Sequence, residues 1–513
     1  MKENNYSVKL NLSEKIAKIV AKGAGFSFIG MSACWVIEYL IRIMIARQLG
    51  VSGYGIINLG IAIMTVVGTI SLCGLDGGIT RFVSYYLGKR RLDKIKSSII
   101  SGAQIIISVS ILSGVFLFIF ADKIALDLFK EPQLILVLKI FAISIPFFCL
   151  LSFFISIFRG FKKINYMVYI QAGFNLSVRL LFLIFFIILG FKLLGISLIY
   201  FISLVIASIV SIFLFKRITK EHREWKEAKS SDARKDLIFF SSPLMISQIL
   251  GRLRGKTDTI LIGYFITVSQ VGLYSVALPV ARMLQFGLNS LNSIFMPSIS
   301  ELYGKGNLEE LNNTYKRVAK WAFCITLPMF LVFFCYPKYI LATLFGVEYQ
   351  KAWLPLMILS VGIFINVSSG SFGETLIAIG KTKINMLLIT IFVFINVVLD
   401  IILIPRVGLI GAAIANSFSL ILVCVIGLLY LNKYLKLQPF SLAHIKILLS
   451  TSVSLTSLYF INKLLFRQFT VWLFLIFIMI LYLLSFYGLF LLNGFDSIEI
   501  NIMKNIYRKI KFK

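Results

Sequence analysis

Gln248–Thr259, reading QILGRLRGKTDT, sets four charged side chains in the middle of an apolar run from about Leu237 to Phe265. A run of that length is a membrane-span candidate. A charge near the bilayer centre costs about 3 kcal/mol on insertion, so such residues mark a paired site or a water-filled path. Gln248, Arg252, Lys256 and Thr259 recur at i, i+4, i+8 and i+11, which places them on one helical face. Arg254 and Asp258 stand at i, i+4 on another face and are expected to neutralise each other. Arg252 and Lys256 are then a positive stripe with no acid on their own helix face. The stripe is expected to line a cavity for an anion.

Gly255-Lys256-Thr257 ends like a nucleotide-binding loop, but Leu250 stands where that motif needs glycine, and no strand precedes it. Gly251 and Gly255 read better as a GxxxG face for a close helix neighbour. Other polar residues recur at helical spacing. Arg282, Gln285, Asn289 and Asn292 form one stripe, and Gln171, Asn175 and Arg179 another. Asn58, Thr65, Thr69 and Asp76 share a face, Asn385, Asn396 and Asp400 are roughly aligned, and Asn366 and Glu374 share a face. Glu38 and Arg42 form an i, i+4 pair. The candidate substrate-binding set is Arg42, Arg179, Gln248, Arg252, Lys256, Arg282, Gln285 and Asn289. Glu38, Arg254, Asp258, Asp76, Glu374 and Asp400 are candidates for ion coupling or for structural pairs. The six cysteines lie in or beside apolar runs, and His222 and His444 are far apart, so no metal or cofactor site is expected.

These residues need membrane helices to hold them. The chain has 513 residues, 59% of them hydrophobic and 14% charged, with mean hydropathy +0.92. That composition excludes the soluble classes. Apolar runs predict about fourteen spans, near 24–46, 56–79, 97–121, 134–158, 164–190, 193–215, 237–265, 271–297, 317–345, 353–378, 383–404, 408–431, 443–462 and 470–492. The net charge of +30 comes from Lys and Arg clustered in alternate loops, which predicts both termini in the cytoplasm of a multi-pass cell-membrane protein. Attraction to anionic membrane lipids explains that charge better than nucleic acid does. Residues 1–22 are polar and basic, so no cleavable signal peptide is expected.

The chain also repeats itself. Ser52-x-x-Gly55 returns as Ser269-x-x-Gly272, and Gly88-Lys89-x-x-Leu92-Asp93 as Gly304-Lys305-x-x-Leu308-Glu309. Gly160-x-x-Lys163-Ile164-Asn165 returns as Gly380-x-x-Lys383-Ile384-Asn385, all three at nearly one separation. A parallel repeat of about six spans is implied. It divides the chain into a cytoplasmic segment 1–23, a six-helix lobe 24–216, a basic linker 217–236, a second lobe 237–431, two extra helices 432–492 and a basic tail 493–513. Polar stripes fall in spans 1, 2 and 5 and in their counterparts 7, 8 and 11. Scattered interhelical hydrogen bonds would not respect that symmetry, which favours a cavity.

Ile45-Ala46-Arg47-Gln48-Leu49-Gly50 with Tyr54-Gly55, then Gly74-Leu75-Asp76-Gly77-Gly78-Ile79-Thr80-Arg81-Phe82, resembles the N-terminal signature of the polysaccharide and oligosaccharide flippases, a branch of the multidrug/oligosaccharidyl-lipid/polysaccharide exporter superfamily. Thr257-Asp258, Ile262-Gly263, Val271–Ala277 and Ile404-Pro405 with Gly408 and Gly411–Ala413 resemble its second half. The resemblance implies two pseudo-symmetric six-helix lobes around a cavity, two further C-terminal helices and alternating access. It implies carriage of polyprenyl-linked oligosaccharide to the outer leaflet, coupled to H+ or Na+ or to the membrane potential, beside other polysaccharide-assembly proteins. The expected fold is an all-α polytopic membrane protein that is a transporter and not an enzyme. A cation-coupled multidrug exporter shares the fold but would want an acidic cavity. A glycosyltransferase or polymerase would want a carboxylate or metal cluster in sizeable outer loops, and these loops are short.

Overall fold

In the computed structural model the described residues are 2–89, 91–221, 234–465, 480–481, 483–485 and 487–488. Among them every regular element is helical. In chain order they are α1 (Lys2–Ser71), α2 (Leu75–Gly88), α3 (Leu92–Lys123), α4 (Gln133–Gly160), α5 (Ile164–Val168), α6 (Ser177–Ile188) and α7 (Leu193–Glu221). There follow α8 (Arg234–Leu253), α9 (Thr257–Phe265), α10 (Val268–Arg282), α11 (Phe286–Gly304) and α12 (Leu308–Cys335). The remainder are α13 (Pro337–Phe345), α14 (Trp353–Ser368), α15 (Phe372–Ala378), α16 (Thr382–Val407), α17 (Leu409–Leu435) and α18 (Leu442–Leu465). An all-helical chain is what a hydrocarbon solvent demands, because each helix satisfies its own backbone polar groups.

Among the described residues ten helical segments are long and apolar enough to cross a membrane. Cys34–Ser71 counts once there, although Gly50, with φ 66° and ψ −175°, interrupts α1 and separates the first two expected spans. The span expected at 237–265 is split into α8 and α9 by a charged turn. The one expected at 56–79 stops at Ser71, and the chain turns before α2 begins at Leu75. Gly74 makes that turn with φ +70°, and a Cβ there would meet the Ser241 carbonyl and the Met245 amide at 2.5 Å. The position therefore needs glycine for both conformation and clearance. The span expected at 470–492 lies largely outside the described residues.

Packing divides the chain into two compact units, residues 1–275 with 400–408, and residues 276–399 with 409–513. In the first, α1 packs on α4, α8 and α9, and α4 packs on α3 and α7. The two copies of the first repeated motif meet in this unit. A Cβ on Gly55 would lie 2.0 Å from the Val268 carbonyl oxygen, and one on Gly272 2.0 Å from that of Val51. Such reciprocal closeness is what small residues allow where membrane helices cross. The other repeated motifs fall at matching helix junctions. Gly88 ends α2 and Leu92 opens α3, while Gly304 ends α11 and Leu308 opens α12. In the second unit, α14 packs on α12 and α17. Phe323, Cys324, Leu327 and Ile447 form a buried cluster there, with Phe330 stacked on Phe364 at 4.3 Å.

Candidate functional site

The span expected at 237–265 is broken within its charged middle. α8 stops at Leu253, Arg254-Gly255-Lys256 form a turn, and α9 starts at Thr257. Glycine is a poor helix former, and a turn here lets charged side chains leave the apolar face of a straight helix. The single face expected for Gln248, Arg252, Lys256 and Thr259 is therefore interrupted, as is the helical spacing of Arg254 and Asp258. Gln248 is half-buried on α8, and Thr259 is buried in α9. Lys256 becomes the residue that caps α9, with φ −129° and ψ −20°. The positive end of a helix dipole favours negative charge.

Three of the predicted cations act on one carboxylate. Arg42 donates to Glu38 Oε1 at 2.6 Å, the i, i+4 pair read from the sequence. Arg179 and Lys256 also lie within electrostatic reach of Glu38. α1, which carries Glu38 and Arg42, packs on α6, α7 and α9 and on a π-helical turn, Tyr169–Leu176, that precedes Arg179. A π-bulge adds one residue to a helical turn and so re-aims the side chains beyond it. Arg179 donates to Asn175 Oδ1 at 3.2 Å and to Ser203 Oγ at 3.4 Å, and its guanidinium lies 4.0 Å from the Tyr200 ring centre. Neutral partners thus hold Arg179 without cancelling its charge. Tyr54 and Tyr200 flank Arg42.

Arg252 is placed differently. Its Nη2 donates to Asp76 Oδ2 at 3.0 Å, so the acid missing from its own helix comes from α2. Asp76 Oδ1 accepts from the Gly77 amide at 3.0 Å. The Asp76 side chain is only 11% exposed. Beside Arg252 a void of about 10 Å³, lined by Val66, Thr69, Ile249 and Leu253, has room for about one water and not for a lipid headgroup. The expectation that Arg252 and Lys256 form one open stripe is corrected. Lys256 joins Arg42 and Arg179, while Arg252 fastens α8 to α2.

A carboxyl pair lies deeper in the same unit. Asp258 is 1% exposed and Asp400 0%. The Tyr274 hydroxyl donates to Asp258 Oδ2, and Asp258 acts electrostatically on Asp400. Both Asp400 oxygens are buried, and Asp258 is the group that acts on them. Two buried carboxyls cannot both stay ionised side by side without a proton or a cation between them. The sequence marks both acids but gives no sign that they meet, because α9 and α16 are far apart in the chain.

The second unit carries a mostly neutral polar set. A short 3-10 turn at Met283–Gln285 breaks the stripe expected from Arg282 to Asn292. Gln285 donates to Asn366 Oδ1 at 3.4 Å, Ser371 donates to Asn292, and Asn289 is exposed. Arg282 and Glu374 have no hydrogen bond or ion pair among the described residues. A break at Ser369–Ser371 separates Asn366 on α14 from Glu374 on α15, so their common helical face is lost. The partners Tyr54, Tyr200, Ser203 and Tyr274 were missed by the sequence reading. Tyr54 lies inside the Tyr54-Gly55 motif and Tyr274 inside the Val271–Ala277 motif, without a role read for either; Tyr200 and Ser203 carry no signal of spacing. Among the described residues no group of three or more His, Cys, Asp or Glu could hold a metal ion.

Comparison with known proteins agrees with this multi-pass membrane architecture. Residues 243–402 match the MatE family model. An uncharacterized membrane protein of Methanocaldococcus jannaschii is 26% identical over 462 residues, covering 86% of this chain and 90% of that protein. A Shigella flexneri protein named as an O-antigen transporter is 24% identical, covering 74% of this chain and 89% of its own length. Among solved structures, the lipid II flippase MurJ in an inward closed conformation aligns with a TM-score of 0.70 at 20% identity, covering 90% of this chain and 97% of its own, a likeness of fold. Residues 20–303, more than half of the chain, match the family model described as polysaccharide biosynthesis protein, and the chain belongs to that family.

Proposed function

We propose that this protein is a flippase that carries a polyprenyl-(pyro)phosphate-linked oligosaccharide from the cytoplasmic to the outer leaflet, for polysaccharide or glycan assembly. The observation that supports it most is Arg42 bonded to Glu38, with Arg179 and with Lys256, the cap of a broken helix, acting electrostatically on the same carboxylate. Arginine and lysine can replace the hydration that a phosphate gives up on entering a confined site. The sugar would sit among neutral amides and hydroxyls, and the lipid tail would stay in the bilayer. Gln248, in the same unit as the three cations, is assigned to that sugar path. Family membership and the O-antigen transporter name carried by a relative point the same way.

The two six-helix lobes, at 24–216 and 237–431, would alternate access between the two sides, with both termini in the cytoplasm of the cell membrane. Coupling to H+ or Na+ is assigned to the Asp258–Asp400 pair, because two carboxyls buried against each other need a proton or a cation between them. That pair, with the MatE match over 243–402, is what favours the second reading, a cation-coupled multidrug exporter. The cations about Glu38 disfavour it, since a cationic drug would be repelled there. The test is binding of farnesyl diphosphate to the purified protein in detergent. The wild type should bind it, and changing both Arg179 and Lys256 to Gln should weaken binding roughly 100-fold, from the loss of two charge-assisted contacts of about 1.5 kcal/mol each. Equal affinity for both proteins overturns the reading.

A further inference from the structure

We propose that Glu38 is a resident counter-anion of the basic site, displaced from Arg42 when a diphosphate headgroup enters and returning to drive it out. The inference rests on the function proposed above. Glu38 sits where an anion belongs, with Arg42 bonded to it at 2.6 Å and with Arg179 and Lys256 acting on it from two other elements. Its one direct hydrogen bond among the described residues is to Arg42. The partners are i, i+4 neighbours on one helix, and their side chains keep 48% and 29% of their exposure. Such pairs are among the least stable ion pairs in proteins. The Arg252–Asp76 pair shows the contrast: it joins two helices, with Asp76 only 11% exposed, beside a void of about one water's size. One pair is local to a single helix and the other ties two helices together.

Charge gives the exchange a purpose. Glu38 supplies beside Arg42 the negative charge that an entering diphosphate headgroup would replace. A headgroup held by cations with no competing anion would bind strongly and leave slowly, and a carrier that must release its cargo gains nothing from such binding. An internal carboxylate competes for Arg42 at a fixed, high local concentration. It lowers the apparent affinity by the fraction of time it occupies the site and fills that site as the headgroup departs. Arg179 stays in place meanwhile, held by Asn175, Ser203 and the Tyr200 ring.

The experiment compares wild type, Glu38→Gln and Glu38→Asp, all as full chains. Farnesyl diphosphate binding is measured in detergent, and turnover in liposomes with a polyprenyl diphosphate sugar. Glu38→Gln should bind roughly ten-fold tighter, as expected for removing one nearby competing charge in a partly hydrated site, and should flip more slowly at saturation. Glu38→Asp, which keeps the charge but draws it back from Arg42, should bind about two- to three-fold tighter by the same reasoning. It reads the same effect if the Gln variant fails to fold. A purely structural role would lower affinity and turnover together. Unchanged or weaker binding by folded variants overturns the exchange while leaving the flippase reading intact. Failure of the wild type to bind the diphosphate overturns both.

Discussion

Neutralising Asp76 should destabilise the protein, and neutralising Arg252 with it should restore part of the loss. The two side chains meet through one charged hydrogen bond of 3.0 Å. Removing one member of a fully buried pair costs about 3–5 kcal/mol, because the other charge is left without compensation. Arg252 keeps 33% of its exposure, so water screens part of that charge, and we expect about 2 kcal/mol for Asp76→Asn. The amide that replaces the carboxylate can still accept from Gly77, as Asp76 Oδ1 does now. The loss is therefore assigned to the stranded guanidinium beside Phe148, 5.9 Å from the ring centre. The same contact region brings Gly78 so close to α8 that a Cβ there would lie 2.1 Å from Ser241 Oγ. The pair thus pins two closely packed helices. Midpoints of thermal unfolding in detergent would be measured for Asp76→Asn, Arg252→Gln and the double variant. Each single change should lower the midpoint by about 1 °C per kcal/mol lost, and the double variant should recover roughly half. A single variant as stable as wild type, or a double no better than the worse single, refutes the argument.

Gly55→Ala should abolish most folded yield, since its Cβ would lie 2.0 Å from the Val268 carbonyl oxygen, an overlap costing about 3 kcal/mol or more; a near-normal monodisperse peak in size-exclusion chromatography contradicts this. Asp400→Asn should fold, because it relieves two carboxyls buried against each other, and should lose any dependence of transport on an imposed proton or sodium gradient. A gradient dependence equal to that of wild type removes the coupling role from the pair.

Much of the architecture could be read from apolar runs, and the reason is physical: a membrane span announces itself by length and composition alone. The three repeated motifs were legible too, and in the structure they mark helix junctions and the Gly55–Gly272 crossing. Breaks were harder. Arg254–Lys256 reads as a continuation of helix because only Gly255 weakens it, and a helical wheel drawn through the turn joined Arg252 to Lys256. What separated them was Asp76, an acid on a helix distant in the chain. Pairing between distant elements leaves no periodic trace, so the Asp258–Asp400 meeting was equally hidden. The Glu38–Arg42 pair, local to one helix, was visible from spacing. Arg42, Arg179 and Lys256 were each marked as cations inside spans, but their convergence on Glu38 depends on helix packing and on the π-turn before Arg179.

The central claim is that a basic site about Glu38 carries a diphosphate headgroup across the membrane. Its most direct measurement is the initial rate at which a fluorescent polyprenyl diphosphate sugar moves between leaflets of liposomes holding the purified protein, with and without an imposed potential. A headgroup of two negative charges moving outward from a negative interior gains about 4.6 kcal/mol at 100 mV. The account predicts protein-dependent transfer by the wild type, accelerated when the interior is negative, and roughly 100-fold slower transfer for the variant with Arg179 and Lys256 both changed to Gln. Transfer by that variant at the wild-type rate, in protein shown to be folded, would contradict it.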